Sequence, residues 1–164
     1  MTLTNNRRSR HAAGFVFCAL AAMLATASAQ AKPNFSGEWK LDTSKSQFAP
    51  LPTPEKRTDK IAHADPDLKV KTTQSGPNGE VTFDLKYATD GSETTNELRG
   101  NPMKSTSKWD GETLVINTKA SFGGNDITLA DKWSVSGDGK VLTINRHIAS
   151  PQGELDQTMV FEKQ

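Results

Sequence analysis

Turn-forming residues recur along most of this chain at intervals of about 8 to 15 residues, and this spacing restricts the fold more than any other feature. Asp90-Gly91 and Asp110-Gly111 are two examples. Asp-Gly pairs suit the positive φ angles of two-residue hairpin turns. Intervals of this length leave no room for the helices that connect parallel strands. The chain is therefore predicted to be all-β, with antiparallel strands in sequence order.

The segments between the turns have the residue pattern of half-buried strands. In Glu80–Tyr87, the side chains of Val81, Phe83, Leu85 and Tyr87 alternate with polar residues. This alternation is typical of a strand with one buried and one solvated face. The other segments that we assign to strands are 34–41, 68–74, 93–99, 103–109, 113–120, 127–135, 140–148 and 154–163.

An open antiparallel sheet of eight or nine strands leaves two edges exposed. Closure into a small up-and-down barrel of eight to ten strands removes both edges, and we predict this fold class. A barrel of this size encloses side chains or one small ligand. A twisted antiparallel β-sandwich is the alternative. The prolines of Phe48–Pro54 exclude a central strand there, so this segment is predicted to be an extended connection across one end of the structure.

The N-terminus is predicted to be a signal peptide that spans residues 1–31. Arginines precede a short apolar run, which is followed by two overlapping A-x-A cleavage sites ending at Ala29 and Ala31. The apolar run is shorter than the about 20 residues that a membrane span needs. We therefore expect residues 32–164 to form a single barrel domain that is periplasmic or secreted and has no membrane span after processing.

Composition excludes several classes of function for residues 32–164. The only cysteine is Cys18, so disulfides and thiol nucleophiles are excluded after processing. Three of the 20 basic residues lie in the signal peptide, so 17 basic residues balance 19 acidic ones, and nucleic acid is not a predicted partner. No Gly-x-Ser-x-Gly motif occurs, and His63 and His147 lack metal-type neighbours apart from Asp65 beside His63. We predict no enzymatic activity, no metal and no cofactor.

Asn34–Leu41 resembles the first strand of the calycins, which comprise the lipocalins and the fatty-acid-binding proteins, because it carries Gly-x-Trp at Gly37 and Trp39. Lys104–Val115 is similar to a hairpin of fatty-acid-binding proteins, and Met159–Lys163 to their closing strand. The chain also resembles small bacterial lipocalin-like proteins. The resemblance implies a ligand-binding barrel over nearly all of the chain after the signal peptide. It implies that Gly37 and Trp39 are structural residues at the barrel end.

Two departures from the fatty-acid-binding proteins affect the expected ligand. Those proteins carry a helical lid after their first strand, whereas Ser44–Arg57 contains three prolines, so we expect no helical lid here. Their last strand carries an Arg-x-Tyr pair that holds a fatty-acid carboxylate. The last strand here reads Gln157-Thr-Met159-Val-Phe161, so that anchor is not expected.

Candidate ligand-binding residues come from two strands. Val81, Phe83, Leu85 and Tyr87 form either the wall of an apolar cavity or part of a filled core. Arg146 is the fifth candidate, because a cation on an apolar strand face must be paired, stacked or placed at the rim.

Arg146 shares its strand face with Leu142 and Ile144. In lipocalins, a basic side chain of a late strand covers the first-strand Trp. The resemblance implies this structural role for Arg146 or Lys163, while a ligand-anchoring role for Arg146 stays open.

We expect a monomer that binds a small, largely apolar molecule inside the barrel. The alternative is a filled barrel that acts through its surface as an envelope-associated interaction or inhibitor protein. An internal void of roughly 300 Å³ or more favours the first hypothesis.

Overall fold

The computed structural model describes residues 31–77 and 79–164. The predicted signal peptide, apart from its last residue, lies outside the described residues. No helix in the described part of the chain is long and apolar enough to cross a membrane.

The described residues form ten β-strands and no helix, so the all-β prediction is confirmed. The strands are β1 (Gly37–Leu41), β2 (Lys56–Ala64), β3 (Asp67–Gly76), β4 (Gly79–Ala88), β5 (Asp90–Leu98), β6 (Asn101–Asp110), β7 (Thr113–Phe122), β8 (Asn125–Val135), β9 (Val141–Ser150) and β10 (Gly153–Lys163).

All ten strands belong to one antiparallel sheet with the order β4-β3-β2-β1-β10-β9-β8-β7-β6-β5. The first strand pairs with the last, with Trp39 opposite Lys163, so the meander closes on itself. The result is a nearly closed up-and-down barrel. The predicted fold class is confirmed, and the sandwich alternative is not adopted because the strands form a single continuous sheet.

The barrel has a seam between β4 and β5, which share no backbone ladder. The side chain of Asn96 on β5 bridges this seam: its Oδ1 accepts the Lys86 N–H at 2.8 Å, and its Nδ2 donates to the Lys86 carbonyl at 2.9 Å. Asn96 is buried. One amide side chain therefore supplies the donor and the acceptor that a neighbouring strand would otherwise provide.

Aromatic side chains fill one end of the barrel. Phe35 stacks on Trp109 with ring centroids 5.7 Å apart and meets Trp133 edge-on at the same distance. Trp39 is fully buried and donates its indole N–H to the Phe35 carbonyl at 2.7 Å. Because large rings occupy this end, any open space in the barrel lies toward the opposite end.

The segment between β1 and β2 contains no helix, as the prolines predict. Gln47 pairs with Thr158 of β10, and Phe48 is buried. The side chain of Gln157 donates to the Phe48 carbonyl at 3.4 Å. The connection therefore packs on β10 and places an apolar ring against the barrel core.

Candidate ligand-binding site

A half-open cavity of about 510 Å³ lies at the end of the barrel opposite the aromatic cluster. Its lining comes from the starts of β2 and β4, the ends of β3 and β5, the turn after β5, and β9. The lining residues are Arg57, Gln74, Val81, Thr82, Phe83, Leu98, Arg99 and Arg146. The cavity thus combines apolar side chains with two inward-facing arginines.

The structure divides the predicted cavity wall on β4 into two parts. Val81 and Phe83 line the cavity and are half-buried. Leu85 packs against the hydrophobic core, and Tyr87 is buried within it. The four side chains share one strand face, but the aromatic rings fill the space in front of Tyr87, whose ring lies 6.4 Å from that of Trp133.

Arg146 lines the cavity and pairs with Asp131 on the neighbouring strand β8. Its Nε and Nη2 atoms donate to the two carboxylate oxygens of Asp131, each at 2.7 Å. The two residues lie directly opposite each other in the β8–β9 ladder. Burial alone would lower the pKa of Arg146, but the Asp131 carboxylate outweighs it and raises that pKa. Arg146 is therefore a permanent cation that is already neutralised by a partner.

A second ion pair of the same type faces the barrel interior from β2. Arg57 donates from Nε and Nη2 to the carboxylate of Asp59, at 3.0 and 2.8 Å. Asp59 is fully buried, and the Arg57 guanidinium lies 5.4 Å from the centre of the Phe161 ring. Bidentate pairs of this kind fix the orientation of the guanidinium as well as its charge.

Tyr87 lies close to both ion pairs. Burial raises the pKa of its phenol, and the Asp131 carboxylate raises it further, while Arg146 opposes the shift. Tyr87 therefore stays a neutral hydroxyl, and the polar groups around it carry two positive and two negative charges.

Lys163, not Arg146, covers the first-strand tryptophan. Its ammonium lies 5.1 Å from the centre of the Trp39 ring. Of the two candidates that the resemblance implied, Lys163 takes this role, while Arg146 pairs with Asp131. Gly37 makes room for this contact, since a Cβ atom there would lie 2.7 Å from Cε of Lys163. The Gly-x-Trp motif and Lys163 thus form one packing unit.

A second polar cluster ties the aromatic end together around Asp65. The Phe35 N–H donates to Nδ1 of His63 at 3.2 Å, so the proton of the neutral imidazole is on Nε2, which lies 2.9 Å from Asp65. Partial burial by itself raises the pKa of Asp65, but hydrogen bonds outweigh it and lower this pKa to about 2. The donors are Thr89, His63, Lys32 and Trp109.

Three buried polar atoms in the described part of the barrel have no hydrogen-bond partner: Thr72 Oγ1, Ser107 Oγ and Trp133 Nε1. Each atom belongs to a residue on the inward face of its strand. Buried polar groups without partners are costly, so water or a ligand group is expected to satisfy them.

Sequence reasoning missed three of the four interior charges, namely Arg57, Asp59 and Asp131. A signal for Asp131 was present, because it alternates with Leu129 and Trp133 and therefore lies on an inward face. The same alternation identified Arg146 on the next strand. A carboxylate and a guanidinium on the inward faces of adjacent strands predict an ion pair.

The described residues contain no cluster of three or more His, Cys, Asp or Glu side chains that could hold a metal ion. His63 pairs with Asp65, whereas His147 lies on the outer face, where its Nδ1 is 2.8 Å from Asp156. The two histidines therefore do not meet.

Solved structures of similar shape place the barrel in a known fold class. No protein-family model matches the chain, and no curated protein matches it by sequence. Zebrafish ileal bile acid-binding protein, solved with cholic acid, is 20% identical, with a TM-score of 0.55 over 79% of this chain and 98% of that chain.

Two further structures share this shape. A secretory abundant heat soluble protein of Ramazzottius varieornatus is 16% identical, with a TM-score of 0.57 over 84% of this chain and 100% of that chain. A variant of the fluorescent protein UnaG is 19% identical, with a TM-score of 0.56 over 79% of this chain and 96% of that chain. The protein therefore has a calycin-like barrel fold, and the resemblance found in the sequence is confirmed at the level of the fold.

Proposed function

We propose that this protein binds a small, largely apolar molecule inside its barrel, without catalysing a reaction. The observation that carries the proposal is the cavity of about 510 Å³ lined by Val81, Phe83 and Leu98 together with three arginines. Ligand sites are typically concave, mostly apolar and furnished with a few fixed polar groups. The neighbour solved with cholic acid supports the use of such a barrel for a small ligand.

The alternative is a filled barrel that acts through its surface as an envelope-associated interaction or inhibitor protein. The position of the cavity favours binding, because Val81 and Phe83 of its lining lie on the inward face of β4. A second depression of about 530 Å³ lies on the outer face of β2, β3 and β4, and its lining includes Ile61, Val70 and Leu85 as well as Lys60, Lys69, Lys71 and Lys86. This depression lies outside the barrel, so dye bound there is the outcome that the variants below must distinguish.

We propose further that the protein acts as an exported monomer, periplasmic or secreted. Support for export comes from the basic and apolar N-terminal sequence and its A-x-A sites. The ligand would then be a molecule of the envelope or of the medium.

The binding proposal is tested by filling the cavity with a side chain. Val81→Trp places an indole in the cavity, and Val115→Trp, on the outward face of β7, is the matched control. An environment-sensitive apolar dye and its displacement by decanol report binding. Val81→Trp should weaken dye binding about tenfold or more, which is about 1.4 kcal/mol, while Val115→Trp should leave it unchanged.

Two results would contradict the proposal. Equal dye binding by both variants and the unmodified protein would place the dye outside the barrel. Absence of any dye or decanol binding to the unmodified protein would favour the surface-acting alternative.

A further inference from the structure

Three arginines line the cavity, and the two that face the interior, Arg57 and Arg146, are each matched by a buried carboxylate. Arg146 is held by Asp131 through two hydrogen bonds, and Arg57 is held by Asp59 in the same way. Asp59 and Asp131 are almost completely buried, so neither can turn away into bulk water. The interior of the barrel thus has polar donors but no net charge from these four residues.

We infer that the ligand has a neutral polar head that accepts hydrogen bonds, such as a hydroxyl, ether, carbonyl or amide oxygen, joined to an apolar body. This inference rests on the proposed binding function and adds the chemistry of the head group. It also predicts that the site discriminates against carboxylates.

The guanidinium of Arg146 still has donors to offer a neutral head. A guanidinium carries five N–H groups, and Asp131 occupies two of them. The remaining three are held in a fixed plane beside the cavity, because the bidentate pair prevents the guanidinium from rotating. An uncharged oxygen atom can accept from these donors without disturbing the pair.

A carboxylate head group would bind less favourably than a neutral one beside the Arg146 guanidinium. It would bring a second anion onto a guanidinium that already binds Asp131, and two carboxylates that share one site disfavour each other's ionised form. It would also lose hydration on entering the barrel, and none of the residues that the structure describes places an unpaired cation in the interior to compensate for that loss. The acid should therefore bind mainly in its protonated form.

Arg99 is the other cation of the cavity lining, and it lies at the mouth rather than in the interior. It is exposed in the turn between β5 and β6. Ion pairs formed in water contribute little, because solvent screens them. A carboxylate attracted by Arg99 would stay at the rim, where it gains little from the apolar wall.

The test compares 1-decanol with decanoic acid as competitors of a bound apolar dye at pH 7. In the unmodified protein, the alcohol should bind about tenfold or more tightly than the acid. Lowering the pH toward the pKa of the acid should strengthen acid binding and leave alcohol binding unchanged. Asp131→Asn leaves Arg146 without a counter-charge, so the preference for the alcohol should shrink or reverse.

Asp126→Asn is the matched control, because it removes a carboxylate from the exposed start of the same strand. It should leave the ratio of the two affinities unchanged. Tighter binding of the acid by the unmodified protein at pH 7 would overturn the inference while leaving the binding function intact. An unchanged ratio in folded Asp131→Asn would also overturn it.

Failure of both decanol and the acid to displace the dye would instead reject the proposed function itself. The ratio of the affinities for 1-decanol and decanoic acid in the unmodified protein tests the inference without any variant. The inference therefore remains falsifiable if Asp131→Asn does not fold.

Discussion

Replacing Asn96 with Ala should open the barrel at its β4–β5 seam. Asn96 makes two hydrogen bonds to the backbone of Lys86, of 2.8 and 2.9 Å, and is 5% exposed. Alanine removes both bonds and leaves one N–H and one carbonyl of β4 without partners. Each unsatisfied buried group costs about 1–3 kcal/mol, and water entering the loosened seam recovers part of this cost. We therefore expect a loss of about 2–4 kcal/mol in the free energy of unfolding.

Chemical denaturation measures this loss, and hydrogen exchange of the Lys86 amide locates it. The amide should lose protection in Asn96→Ala, because its acceptor has been removed. Thr95→Ala is the matched control: Thr95 is the exposed neighbour on the same strand, and its replacement should change stability by less than about 0.5 kcal/mol. An unchanged denaturation midpoint in Asn96→Ala, with the Lys86 amide still protected, would refute the claim that this side chain closes the barrel.

Three further predictions concern other parts of the chain. Trp39→Ala should cost about 3–5 kcal/mol in chemical denaturation, because a fully buried indole and its hydrogen bond to Phe35 are lost; an unchanged midpoint would show that the Gly-x-Trp motif has no packing role. The folded pKa of Asp65, about 2, is below its unfolded value of 3.8, so its stabilising effect is complete above about pH 5 and is lost as the pH falls through 2. Asp65→Asn should therefore be less stable than the unmodified protein at neutral pH and should converge with it near pH 2, and a constant difference would argue against this assignment. Mass spectrometry of exported protein should find an N-terminus at Gln30 or Lys32, whereas an intact Met1 in the exported fraction would contradict the signal peptide.

Apolar alternation made several strands easy to predict from the sequence. β4 is an example, since its alternating residues extend over almost the whole observed strand. β2 was missed, although it has nine residues. Its inward face carries Arg57, Asp59 and His63, with Ile61 as the only large apolar side chain. Buried polar residues that pair with each other look like surface residues in a sequence, so the alternation was hidden.

The same physical cause limited the prediction of the site. A pattern of apolar residues identifies an inward face, but it does not show how far the core extends along that face. Val81 and Tyr87 share a face, yet one lines the cavity and the other is packed against Trp133. The role of Arg146 was left open for a related reason, because the pairing of β8 with β9 decides which carboxylate meets it.

Nuclear Overhauser effects between bound 1-decanol and the protein would locate the ligand inside or outside the barrel. We expect contacts from the methylene protons of the alcohol to the Phe83 ring and to the methyl groups of Val81 and Leu98, which line the cavity. Contacts confined to the outer face, near Lys69 and Lys86, would contradict binding inside the barrel.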